Sequence, residues 1–150
     1  MKIRGFEKIS SYKKVDFPLP SRQTARSAGY DIYLPETVTI PAHGQKMVPT
    51  GVKAYMQDNE YLGIHIRSSM AVKRHLRLVN KQGIGDAGYY NNPDKERHLL
   101  LVLAKDNGQD VDLEKGETVG QGDCTPLLYD RCGRQRAKQE RSGGFGSTTK

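Results

Sequence analysis

The sequence predicts an all-β fold, a jelly-roll-like β-barrel, and three features carry that expectation. Apolar residues alternate strictly at Tyr61-Leu62-Gly63-Ile64-His65-Ile66-Arg67, which sets Leu62, Ile64 and Ile66 on one face of an extended strand. Other short apolar runs are separated at regular intervals by turn-forming clusters. No amphipathic helix of about a dozen residues can be drawn anywhere along the chain. Many short strands with such punctuation close most readily into a barrel or jelly roll.

In chain order, Ala28-Gly29-Tyr30-Asp31-Ile32 reads as the entry into a strand that carries an early carboxylate. After Pro35, Val38 and Ile40 form a second run, and Pro41-Ala42-His43-Gly44 turns the chain toward Met47, Val48 and Val52. Gln57-Asp58-Asn59 marks the turn before the alternating strand. Ser69 to His75 accommodates the one plausible helical turn, and Leu76 and Leu78 resume the β pattern. Gly83-Ile84-Gly85-Asp86-Ala87-Gly88-Tyr89 then has the look of a hairpin with Asp86 at its tip. Asn91-Asn92-Pro93-Asp94 separates it from Leu99 to Leu103, which ends at Asp106-Asn107-Gly108. Gly116-Glu117-Thr118-Val119 leads into Gly120-Gln121-Gly122.

The chain of 150 residues is long enough for one domain with a real core. No stretch approaches the roughly 18 apolar residues of a membrane span, and Met1-Lys2-Ile3-Arg4-Gly5 lacks a signal-peptide run, so a cytoplasmic protein without membrane contact is expected. Cys124 and Cys132 have no zinc-ligand spacing around them and read as buried or idle thiols. The net charge of +7 is unevenly spread. Residues 131 to 150 hold six basic side chains against Glu140 alone, a balance of +5, so the body is nearly neutral. After Tyr129 no large apolar residue appears until Phe145, which divides the chain into a barrel domain, 1–129, and a flexible arm, 130–150.

The arm carries Arg141-Ser142-Gly143-Gly144-Phe145-Gly146-Ser147-Thr148. Its glycines let backbone N–H groups face an anion closely, and Arg141, Ser147 and Thr148 add side-chain donors. Phe145 has no core to enter there, and stacking on a flat base would explain it. The arm thus reads as a lid that closes over a phosphate-bearing ligand. Asp86 is suited to take a proton from water. Arg67-Ser68-Ser69 and Gly120-Gln121-Gly122 are phosphate-friendly stretches that follow strands. Each of these segments also has an ordinary reading: Asp86 as a turn residue, Asp31 as a strand-entry residue, the tail as solvated chain.

Taken in order, the five segments resemble the five motifs of the trimeric dUTPases, in the form expected of a phage or a Gram-positive bacterium. The likeness runs from about Ala25 to the C-terminus. It implies hydrolysis of dUTP to dUMP and pyrophosphate, which keeps uracil out of DNA and supplies dUMP, with water attacking the α-phosphorus. By that resemblance Asp86 is the general base and Arg141 stabilises the departing charge. Asp31 holds, through water, a Mg²⁺ carried mainly by the substrate phosphates. Arg67, Ser68, Ser69 and Gln121 serve the phosphates, Asn80 lies near the uracil edge, and Gly83 joins the substrate-binding set. Tyr89 packs on the deoxyribose, and Phe145, Gly146, Ser147 and Thr148 form the lid. A homotrimer with active sites shared between subunits is implied as well.

Gly85 stands where the family usually has Ile, Gly88 where an acid is frequent, and Asn91 where the motif ends in Gly. A hairpin loosened beside Asp86 predicts slower catalysis than the family norm. Three other readings compete with the dUTPase resemblance. A dCTP deaminase needs a buried Glu in a core strand, and Leu99 to Leu103 holds none. A nucleotide-dependent regulatory protein with a protein partner could be built on the same scaffold. Nucleic-acid binding is not expected, since the basic tail interleaves no aromatic residue except Phe145.

Overall fold

The computed structural model describes residues 3–86 and 96–126. Eleven strands and one α-helix are described, and every strand pair is antiparallel. The central sheet has the order β2 (Tyr30–Tyr33), β11 (Thr118–Pro126), β6 (Glu60–Ile66) and β8 (Gly83–Asp86). A second sheet runs β4 (Gln45–Pro49), β9 (Leu100–Lys105) and β7 (Leu76–Leu78). Two ribbons complete it: β1 (Gly5–Lys8) with β5 (Val52–Tyr55), and β3 (Val38–Ile40) with β10 (Val111–Leu113). The architecture is the all-β jelly roll that the sequence predicts.

Alternation positions the core. Leu62 and Ile64 of β6, Ile32 of β2, Val38 and Ile40 of β3, Leu76 and Leu78 of β7, and Leu101 and Leu103 of β9 are all buried. Burying one such side chain contributes roughly 1.5–3 kcal/mol, so the inner faces dominate stability. Met47 differs from its neighbour Val48. In β4 Val48 is fully buried, whereas Met47 is 46% exposed, because successive strand residues point to opposite faces. The one helix, α1 (Ser68–Arg74), ends at His75 in the left-handed conformation, whose N–H donates to the Met70 carbonyl. It lies where the sequence allows a helical turn.

Asp86 departs from its expected place at a hairpin tip: its backbone is the last residue of β8, opposite Tyr61 of β6. The ladder extends this far because the alternating strand β6 offers paired positions from Tyr61 to Ile64. The tight Gly120-Gln121-Gly122 stretch is also strand, inside β11. A Cβ at Gly120 would sit 3.0 Å from the His65 carbonyl oxygen, and one at Gly122 would sit 3.1 Å from Leu62 Cδ1. These glycines let β11 lie close on β6. The expected turn at Asn91–Asp94, the barrel–arm boundary at 129, and Tyr89, Cys132, Arg141, Phe145, Gly146, Ser147 and Thr148 lie outside the described residues.

Candidate active site

Strand register brings Asp31 directly opposite Gln121, and Gln121 directly opposite His65. This row lies on the outer face of the central sheet, since the neighbouring rows hold the buried Ile32 and Ile64. Asp31 is nevertheless only 4% exposed. Gln121 Nε2 donates to its Oδ1 at 3.0 Å and Gln23 Nε2 donates to its Oδ2 at 2.6 Å. A carboxylate only accepts, which fixes both amides with their NH₂ groups toward Asp31.

Arg67 caps the start of α1, and its backbone N–H donates to the Val119 carbonyl at 3.4 Å, two residues before Gln121 on β11. Arg67 and Ser69 open into a cleft of about 360 Å³ lined also by Lys73, Arg74, Glu117 and Thr118. Ser68 begins the same helix. Arg74 at the far end grips Glu117 through two hydrogen bonds, Nη2 to Oε1 at 2.7 Å and Nη1 to Oε2 at 3.3 Å. Glu117 also accepts the Glu114 backbone N–H at 2.6 Å. The helix that carries Arg67 and Ser69 is thereby fastened to the turn that leads into β11. Asp31, Arg67, Ser68, Ser69 and Gln121 thus lie toward one end of the sheet.

Asn80, Gly83 and Asp86 form a second group along the β7–β8 connection and β8. Asn80 is exposed in the turn, where its carbonyl accepts the Gln82 N–H at 2.7 Å and Lys81 adopts φ +64°. Gly83 pairs with Ile64, and a Cβ there would approach Ile64 Cβ to 3.3 Å. Asp86 shares its row with Tyr61 and Thr125. From the row of Asp31 this position is four residues along the strand and three strands across, about 20 Å at standard sheet spacings. One protomer therefore does not join its two groups.

The dUTPase family model matches residues 15–149. The deoxyuridine 5′-triphosphate nucleotidohydrolase of Lactococcus lactis is 46% identical over 148 residues, covering 99% of each chain. The corresponding protein of Candida albicans is 30% identical, across 88% of this chain and 81% of its own. The chain belongs to the dUTPase family. Among solved structures, a dUTPase from Streptococcus mutans superposes with a TM-score of 0.79 at 44% identity, covering 84% of this chain and 98% of that one. The dUTPase of Staphylococcus bacteriophage 80alpha shares the fold at a TM-score of 0.72 and 20% identity, over 87% and 94% of the two chains. Neither the deaminase nor the regulatory reading is favoured beside these matches.

Within this dUTPase family member, sequence reasoning overlooked Gln23 and the Arg74–Glu117 clasp. Nothing local marks Gln23, an exposed Gln in a polar loop. Only the bridge between Ser21 and Asp31 brings it to the carboxylate. For Arg74 and Glu117 the signal was faint, since 43 residues separate them. No set of three or more His, Cys, Asp or Glu side chains converges as a metal cage among the described residues. Cys124 is half-buried, and burial pushes its thiol up, which suits an idle thiol.

Proposed function

We propose that this chain hydrolyses dUTP to dUMP and pyrophosphate in the cytoplasm. The observation that carries the reading is the convergence of Asp31, Gln121 and Arg67 with Ser69, from three separate motifs, at one end of the central sheet. That end offers cationic and hydroxyl donors beside a buried carboxylate, which suits a polyphosphate that arrives with a divalent cation. Mg²⁺ bound to the substrate phosphates neutralises charge on the triphosphate. Asp31 has the donor chemistry to hold such an ion through water, since each carboxylate oxygen retains a lone pair beyond its amide partner. The dUTPase of Staphylococcus aureus phage phi11 coordinates a structural Mg(II) ion.

In this reading Arg67, Ser68, Ser69 and Gln121 bind the phosphates, Asn80 serves the uracil edge, and Gly83 belongs to the substrate-binding set. Tyr89 packs on the sugar and excludes a 2′-OH. Asp86 orients the attacking water and accepts its proton as the bond to the α-phosphorus forms. Arg141 stabilises the pyrophosphate as it leaves, and Phe145, Gly146, Ser147 and Thr148 close over the nucleotide and exclude bulk water. The separation of about 20 Å between the Asp31 and Asp86 rows supports a site completed by a neighbouring subunit, hence a homotrimer.

Pyrophosphate release measured with dUTP, dTTP, dCTP and UTP, with and without Mg²⁺, tests the assignment. Turnover of dUTP alone, dependent on the ion, is expected. Asp86→Asn keeps the shape of the side chain and removes the base, so it should lower turnover by about 10²–10⁴-fold with nucleotide binding retained. Equal turnover of all four nucleotides would refute the substrate, and unchanged turnover in Asp86→Asn would refute the base.

A further inference from the structure

Asp31 is a buried carboxylate held by two neutral amides. Among the described residues it takes part in no ion pair. The nearest cation in sequence to Gln23, Arg22, instead lies over the Tyr30 ring, 5.9 Å from its centroid. Amide donors orient a carboxylate without cancelling its charge, and burial makes an uncompensated charge costly. The arrangement is complementary to a cation that the described residues do not supply.

Gln23 is itself locked. Its Nε2 donates to Asp31 Oδ2 at 2.6 Å and to the Tyr33 hydroxyl at 3.2 Å, and that hydroxyl hydrogen-bonds Ser21 Oγ at 3.0 Å. Backbone bonds hold the loop in place: the Ser21 N–H donates to the Asp31 carbonyl at 3.2 Å, and the Asp31 N–H to the Ser21 carbonyl at 2.7 Å. Gln23 and Gln121, from loops and strands far apart in sequence, thus cover the carboxylate from two sides while both remain exposed to solvent.

We propose that Gln23 is a positioning residue for the divalent cation of the reaction: with Gln121 it fixes the Asp31 carboxylate and leaves its charge for the hydrated ion that accompanies the triphosphate. The inference rests on the reading of Asp31 under the proposed function. Gln suits the task because a Lys or Arg at position 23 would supply the compensating charge itself. An apolar residue would leave the carboxylate free to turn.

Calorimetric titration of Mg²⁺ into the full-length protein saturated with the non-hydrolysable analogue dUpNHpp tests this, with melting temperatures of the nucleotide-free variants recorded alongside. Gln23→Met should weaken Mg²⁺ binding by about tenfold, as loss of a group that orients a metal-serving side chain does. Gln23→Lys should weaken it at least as much, although an ammonium can still donate to Asp31. Neither should move the melting temperature by more than about 2 °C, because Gln23 is exposed. Asp31→Asn should give the largest loss of Mg²⁺ affinity. If both Gln23 variants bind Mg²⁺ as the unaltered protein does while Asp31→Asn does not, the role of Gln23 is refuted and that of Asp31 stands. If Asp31→Asn also binds Mg²⁺ normally, the reading of Asp31 fails and the inference with it. A fall in melting temperature with unaltered Mg²⁺ affinity would make Gln23 merely structural.

Discussion

Single side chains in this protein do their work through what they are denied as much as through what they touch. Among the described residues Asp31 has amide donors and no ion-pair partner, and His98 has a backbone donor facing its Nε2. The Gly51 N–H donates to His98 Nε2 at 2.8 Å, so this nitrogen must be unprotonated in the fold. Burial holds the imidazole below its usual value, with Glu96 and Glu36 pulling the other way. A His whose folded pKa is depressed contributes stability above its unfolded value of about 6.5, and that stability is lost as pH falls below it. Melting temperature should therefore drop as pH falls below about 6.5, and the drop should be shallower in His98→Gln, whose amide oxygen accepts the same N–H without titrating. Parallel pH profiles for the two proteins would remove His98 from the account.

At the level of elements, β8 carries Gly85 beside Asp86. Gly85 pairs with Leu62, and a Cβ there would meet Leu62 Cβ at 3.6 Å and Leu99 Cδ2 at 3.7 Å, ordinary packing distances. Gly85→Ala should fill this space and stiffen the strand that ends in Asp86. The expected gain is about 0.5–1 kcal/mol, read as a rise in melting temperature of about 1–4 °C. A fall would mean that the inner face has no room left. The strands themselves were legible in the sequence because period-two burial leaves a direct mark, as in Leu62, Ile64 and Ile66. The Gly120-Gln121-Gly122 stretch was harder to read, since glycine looks the same whether it frees a loop to approach a phosphate or lets two strands lie close. The structure shows these two glycines letting β11 lie close on β6, against the His65 carbonyl and Leu62.

For the whole molecule, the arrangement of motifs predicts a site no single subunit completes. Asp31→Asn and Asp86→Asn should each be nearly inactive alone. Unfolded together in equal amounts and refolded, they should regain activity at about a quarter of their sites, wherever an intact Asp31 from one subunit meets an intact Asp86 from the next. No recovery above the sum of the separate variants would place both residues in one subunit's site.

The fold class, the strand pattern and the resemblance to the dUTPase family were legible in the sequence alone. These depend on the local alternation of apolar residues and on the order of short segments, both of which are written linearly. That Gln23 caps Asp31, that Arg74 clasps Glu117, and that the Asp31 and Asp86 rows stand apart in one chain became visible in the fold alone. Those facts depend on strand register and on contacts between residues as far as 90 positions apart, such as Gln121 with Asp31. A hydrogen bond across that distance leaves no periodic trace in either segment. It exists only once the buried faces of β2, β11 and β6 have set which residues stand opposite one another.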